Sequence, residues 1–212
     1  MKFDRKRTSE HAVSPVVGVM LMLVVTIIIA AVVSAFAGGL GSDQSKTPQT
    51  SLTARAVVDN IQDTDKTDWE PTYPAGFTAK NGLLFENTGG DSFALSDISI
   101  QMQSGDAKYD IDTYDEIQAT EGTCLPDTVE AYIEEIGDSD GFISPGDKFM
   151  LYADNCRIDD DPAYGYDNEA QISWKPEGAL GGKAAYLNTR LEYKVIDKPS
   201  SRVISSGEVV LS

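Results

Sequence analysis

Cys124 and Cys156 are the only thiols in the 212 residues, and His11 is the only imidazole. Joined, the two cysteines would close a loop of about 33 residues and stabilise a fold by roughly 3–4 kcal/mol, mainly by restricting the unfolded chain. Left apart, they would be two small buried hydrophobes. A Cys–His pair, a Ser-His-Asp triad or an imidazole zinc site would have to draw on His11, because no second histidine exists. Carboxylates are abundant, so counting alone does not exclude a glycosidase-like pair. No spacing singles one pair out, and a solvated acidic surface is the simpler reading. No phosphate-cradling Gly-rich motif is present. The best metal candidate is Asp138-Ser-Asp140-Gly-Phe-Ile-Ser-Pro-Gly-Asp147. With Gly141 at the sixth place of a calcium loop, Asp138, Asp140 and Asp147 fall at places three, five and twelve. The first place is then Ile136, which cannot ligate, and Pro145 does not suit an exiting helix. The alternative is an acidic hairpin loop, with Asp159-Asp-Asp161 either joining the site or standing in water. These residues predict no catalysis and no cofactor other than calcium.

The elements that must position these groups follow from how charge is distributed. Residues 1–12 carry Lys2, Arg5, Lys6 and Arg7 against Asp4 and Glu10, a balance of +2. Residues 13–42 carry no ionisable side chain, and residues 43–212 hold the remaining 13 bases and 32 acids, a balance of −19. The overall −17 therefore describes no part of the molecule. So acidic a chain lacks the basic face that nucleic-acid phosphates require.

From Val13 to Leu40 the apolar residues would form a helix of about 42 Å, ample for a bilayer core of about 30 Å. Pro15 fits the first turn, where its missing N–H is not needed, and Gly38, Gly39 and Gly41 stop the helix. The Lys/Arg excess before the span predicts a cytoplasmic amino end and an exported carboxyl part. A plain signal anchor would satisfy this pattern. So would a secretory signal cut after Ala37, although the apolar run is about twice the usual length.

A third reading comes from the run Ala12-Val-Ser-Pro-Val-Val-Gly18 and the apolar continuation to Phe36. This run resembles the amino-terminal segment of archaeal type IV pilins, where such an opening directly follows a charged leader. The resemblance implies removal of residues 1–12 by a prepilin peptidase, between Ala12 and Val13, with the helix retained. His11 would leave with the leader. The Glu found five residues after the cut in most bacterial pilins is here Val17, so helix packing rather than a buried ion pair must hold copies together. Gly18, Ala30, Ala31, Ser34 and Ala35 are small enough for close helix approach, with Val24 amid the apolar surface. A head-to-tail contact that does not close on itself yields a filament.

Residues 43–50 read as a polar linker and 51–212 as one exported domain. There the dominant period is two: Leu52, Ala54 and Ala56, then Ile98, Ile100 and Met102, then Leu191, Tyr193 and Val195, then Val209 and Leu211. Phe149–Tyr152 and Ala170–Trp174 are further short strands. Turn signals separate them at Asn87-Thr-Gly-Gly-Asp91, Ser104-Gly-Asp106, Ser144-Pro-Gly-Asp147, Gly181-Gly182 and Lys198-Pro-Ser-Ser201. This pattern predicts an antiparallel sandwich, closed by a hairpin of Leu191–Asp197 and Arg202–Leu211. One short helix is predicted where Asp127 and Glu130 form a capping box ahead of Val129, Ile133 and Ile136. The stretches Leu84–Ile100 and Ile143–Phe149 are similar to strand–turn elements of the same pilins, and the resemblance implies an immunoglobulin-like head. No Asn-x-Ser/Thr sequon occurs. The fold class is thus α+β, a long apolar helix ahead of a β-sandwich. The function implied is a surface filament subunit, a homopolymer acting in adhesion or cell contact, served by prepilin peptidase and assembly machinery and held in the membrane before assembly. A monomeric anchored receptor for a solute or polysaccharide is the alternative, and it would keep the whole leader.

Overall fold

The computed structural model describes residues 15–39, 46–62, 77–104, 107–117, 123–159 and 169–212. The chain divides into two compact units, Met1–Ser45 and Lys46–Ser212. The leader, the Ala12–Val13 junction, the turn at 105–106 and Asp160–Asp161 lie outside the described residues.

In the first unit α1 runs from Pro15 to Gly39. Its abundant Val and Ile are mediocre helix formers in water, where branching at Cβ restricts rotamers. In hydrocarbon that preference is overridden, because a helix pairs every interior backbone N–H and C=O within one segment. The Thr26 hydroxyl is also paired, its Oγ1 donating to the Leu23 carbonyl at 2.9 Å.

The second unit is built of short strands. They are β1 (Thr50–Val57), β2 (Gly82–Gly90), β3 (Phe93–Ala94), β4 (Ile98–Ser104), β5 (Ala107–Asp112), β6 (Ile133–Ile136), β7 (Phe142–Ile143), β8 (Lys148–Tyr152), β9 (Asn155–Asp159), β10 (Glu169–Trp174), β11 (Lys183–Tyr186), β12 (Arg190–Asp197) and β13 (Arg202–Val210). One four-stranded sheet runs β1-β2-β8-β6 and another β13-β12-β4-β5, with a three-stranded β11-β10-β9 sheet and a β3-β7 pair. Each described pairing is antiparallel.

Alternation decides which face of each strand is buried. Ile98, Ile100 and Met102 are fully buried, as are Leu191 and Val195 beside them. The two four-stranded sheets face each other. Phe85 of β2 meets Tyr193 of β12 edge-on at 5.3 Å and stacks on Phe149 of β8 at 4.8 Å. The β12–β13 hairpin forms as the sequence predicts. Sheet on sheet is the packing of a sandwich, and nothing in the strand order assigns an immunoglobulin connectivity.

The predicted helix over Asp127–Ile136 does not form. Val129 N–H closes a turn onto the Pro126 carbonyl, Ala131 bridges to Glu116, and Ile133–Ile136 pairs with β8 as a strand. Ten residues make a marginal helix, whereas strand geometry gives β8 its edge partner and buries Tyr132 and Ile133. Glu134, two residues before the strand's end, turns its carboxylate back onto the Glu130 and Ala131 N–H groups at 2.7 and 3.0 Å. Leu125 and Val129 cover a sheet face without a helix. They close a second apolar cluster with Leu84, Met150 and Tyr152 on the outer face of the first sheet. The only helical turn described in this unit is Leu95–Asp97.

Candidate functional site

Every described side chain of α1 is exposed within its own unit, its large apolar residues at between 45% (Val25) and 74% (Met22) of full accessibility. A helix apolar on all sides requires lipid or other helices around it. Gly18, Val24, Ala30, Ala31, Ser34 and Ala35 all lie on this exposed surface. At 3.6 residues per turn, Val24, Ala31, Ser34 and Ala35 fall within an arc of about 100°, and Gly18 points away from it. Small residues on two sides suit a helix with more than one neighbour. A Cβ on Gly18 would meet nothing within 4 Å.

The chain enters the second unit at a clasp that sequence reading took for linker. Thr47 Oγ1 bonds the Ser200 hydroxyl at 2.8 Å. Gln49 N–H donates to Asp91 Oδ2 at 3.0 Å while Asp91 N–H donates to the Gln49 carbonyl at 2.8 Å. Gly90 (φ +103°) has to be glycine here, since a Cβ would sit 2.2 Å from that carbonyl. Asn87, fully buried, anchors the clasp. Its Oδ1 accepts from Thr50 Oγ1 (2.8 Å) and Gly89 N–H (3.0 Å), and its Nδ2 donates to the Ile143 carbonyl (3.2 Å). Its backbone also exchanges bonds with Asp147 and Gly146. The two Gly-rich stretches singled out in the sequence are thus one structure in space. Asn87→Ala is expected to cost about 2–3 kcal/mol by stranding buried donors and acceptors, read as a lower denaturation midpoint with an unchanged denaturant slope.

Of the candidate calcium ligands, Asp138 and Asp147 converge with Glu135, each offering an oxygen within 4.8 Å of the others. Asp140 is outside that trio and accepts from Phe142 N–H at 2.8 Å. Asp147 also accepts from Ser144 N–H, and Glu135 from Gly141 N–H. Burial, then a hydrogen bond with Asp138, raises the Glu135 pKa from its ordinary value. Sequence spacing missed Glu135 because it belongs to β6, which was read as helix.

Cys124 and Cys156 form a disulfide with both residues fully buried. Beside it, buried Asp154 accepts from Tyr132 Oη at 2.7 Å and from Lys175 N–H. Burial raises the Asp154 pKa above its usual value, and the Tyr132 phenol is raised too, by burial and then by Asp154. A carboxyl whose folded pKa lies above its unfolded value contributes stability that is full below the unfolded pKa and is lost as pH rises through the folded one. Asp154→Asn keeps an acceptor without the charge. The variant is therefore expected to lose less melting temperature between pH 4 and pH 7 than the wild type; parallel curves would refute this account.

Compared with known families, residues 11–52 match the one described as archaeal type IV pilin, N-terminal. The chain carries an archaeal type IV pilin N-terminal segment. Comparison with curated proteins returns no significant match. The pilin segment spans all of α1 and reaches beyond it, through Thr47, Gln49 and Thr50 of the clasp to Leu52, the first buried apolar residue of β1. It supports a pilin-type subunit, and the apolar helix near its start fits a membrane-anchored precursor.

Proposed function

We propose that this protein is a structural, non-catalytic subunit of an archaeal type IV pilus or a related surface filament, acting in adhesion or cell contact. One observation carries the reading: a pilin segment whose 25-residue helix is apolar and whose described side chains are all exposed. In the precursor the bilayer covers that surface. After cleavage between Ala12 and Val13 by a prepilin peptidase, copies of the same helix cover it, and the acidic second unit faces outward. The buried disulfide supports an exported, oxidising destination for that unit.

Mass spectrometry of the native amino terminus tests the proposal. Val13 as first residue is the expected result. Met1 would mean an uncleaved anchor and hence the receptor reading, and Gly38 would mean a secreted domain. The calcium reading has its own test: a hydrogen-bonded acidic loop end gives no melting shift at millimolar calcium, and a bound ion raises the melting temperature.

A further inference from the structure

Two buried nitrogen donors stand opposite each other in the three-stranded β11-β10-β9 sheet. Trp174 of β10 pairs with Lys183 of β11. Residues paired in this way share one face of a sheet, with Cβ atoms about 4.5–5.5 Å apart. That face is the dry one: Ile172 and Trp174 are fully buried, Ala185 is 4% exposed and Lys183 only 7%. Gly182 brings the strands close here, since a Cβ on it would sit 2.7 Å from the Trp174 carbonyl oxygen. Neither donor has an acceptor among the described residues. The Trp174 indole N–H is buried without a hydrogen bond. No described carboxylate offsets the burial of Lys183, and that burial lowers its pKa from the ordinary lysine value. Asp154, the buried acid that bonds the end of β10, is taken up by Tyr132 Oη and the Lys175 N–H. Residues 43–212 hold 32 acids for 13 bases, so a lysine buried apart from the acids is not explained by a shortage of them.

A buried ammonium with no counter-charge and a buried N–H with no acceptor are each unfavourable where they stand. Such groups in a native fold call for a partner. We infer that Lys183 and Trp174 form a binding site for a small monovalent anion of halide size, which accepts from the lysine ammonium and the indole N–H together. A water molecule could accept both bonds but would leave the charge uncompensated. An anion meets both needs, and its bond to the ammonium is of the stronger, charge-assisted kind. The full burial of the indole favours a one-atom acceptor over a bulky oxyanion. The bound anion would tie β11, an edge strand, to β10 and make the stability of the head depend on the anion around it. The site belongs to the head alone and stands whether or not the chain assembles into filaments.

The test uses the full chain in detergent, melted in sodium chloride and in sodium gluconate at equal concentration. Gluconate is too large for the site. The melting temperature of the head should be higher in chloride, by about 3–6 °C once chloride reaches ten times its dissociation constant. Lys183→Met keeps an apolar stem and removes the charge. It should abolish the difference between the two salts and melt in gluconate at or above the wild-type temperature. Equal melting of the wild type in both salts overturns the inference, as does a chloride effect of undiminished size in Lys183→Met. Should that variant not fold, fluorescence gives a second measurement with Lys183 intact. Trp69 and Trp174 are the two tryptophans of the chain, so Trp69→Phe leaves Trp174 as the only indole emitter. Bromide should quench that emission saturably, and chloride should compete with it; quenching that is absent, or linear in bromide and indifferent to chloride, overturns the inference.

Discussion

A Val24→Asp chain is expected to yield no filaments while its second unit melts as in the wild type. Val24 is 53% exposed in α1, and the head forms a unit of its own. A carboxylate near the middle of a membrane helix costs about 2.5–3.5 kcal/mol on insertion scales. The cost returns in the filament, where each copy would bury an unpaired charge among apolar neighbours. Because the contact repeats with every subunit, a loss of even 2–3 kcal/mol per copy multiplies along the polymer. Gly18→Leu separates the two stages. It keeps the span apolar, and a Cβ there meets nothing within 4 Å, so insertion should proceed and only helix–helix approach should suffer. Electron microscopy of sheared cell surfaces together with membrane-fraction blots distinguishes these outcomes. Normal filaments from Val24→Asp would contradict the proposed function.

Removing the disulfide is expected to produce the second large effect, confined to the head. Cys124 sits where the strap of residues 123–129 crosses the outer face of the first sheet. Its carbonyl accepts from Ala79 N–H at 2.7 Å and its N–H donates to the Asp154 carbonyl at 3.0 Å. The bond to Cys156 spans a sequence separation of 32, a loop whose closure is worth roughly 3–4 kcal/mol. At about 2–4 °C per kcal/mol for a unit of this size, Cys124→Ser/Cys156→Ser should melt roughly 10 °C lower. The strap should also loosen first, since what remains over Leu84, Met150 and Tyr152 is mainly Leu125 and Val129. Proteolysis of native head near residues 123–129, faster with reductant, would show this. A double variant with wild-type melting and protease resistance would mean that packing alone holds the strap.

The strands were legible from residue order wherever one face is dry. Ile98, Ile100 and Met102 alternate with Ser99 and Gln101, and the first three are buried while the others are not. The stretch Asp127–Ile136 was not legible, because its apolar residues satisfy a helical spacing and its capping residues are genuine. What outweighed them was the unpaired edge of β8, which no local signal reveals. The candidate metal ligands show the same limit: spacing chose Asp140, and strand pairing substituted Glu135.

By itself the sequence determined that this protein has an uncharged helix able to span a bilayer, a cluster of basic residues ahead of it, and an acidic β-rich remainder. Those properties depend on length, hydropathy and charge, and each adds up along the chain. Only the tertiary structure decided that residues 46–50 belong to the head and that Asn87 joins two distant Gly-rich turns. The physical reason is register. Thr47 bonds Ser200 across 153 positions, and a partner that remote is selected by which strands pair and which faces pack, not by any neighbour in sequence.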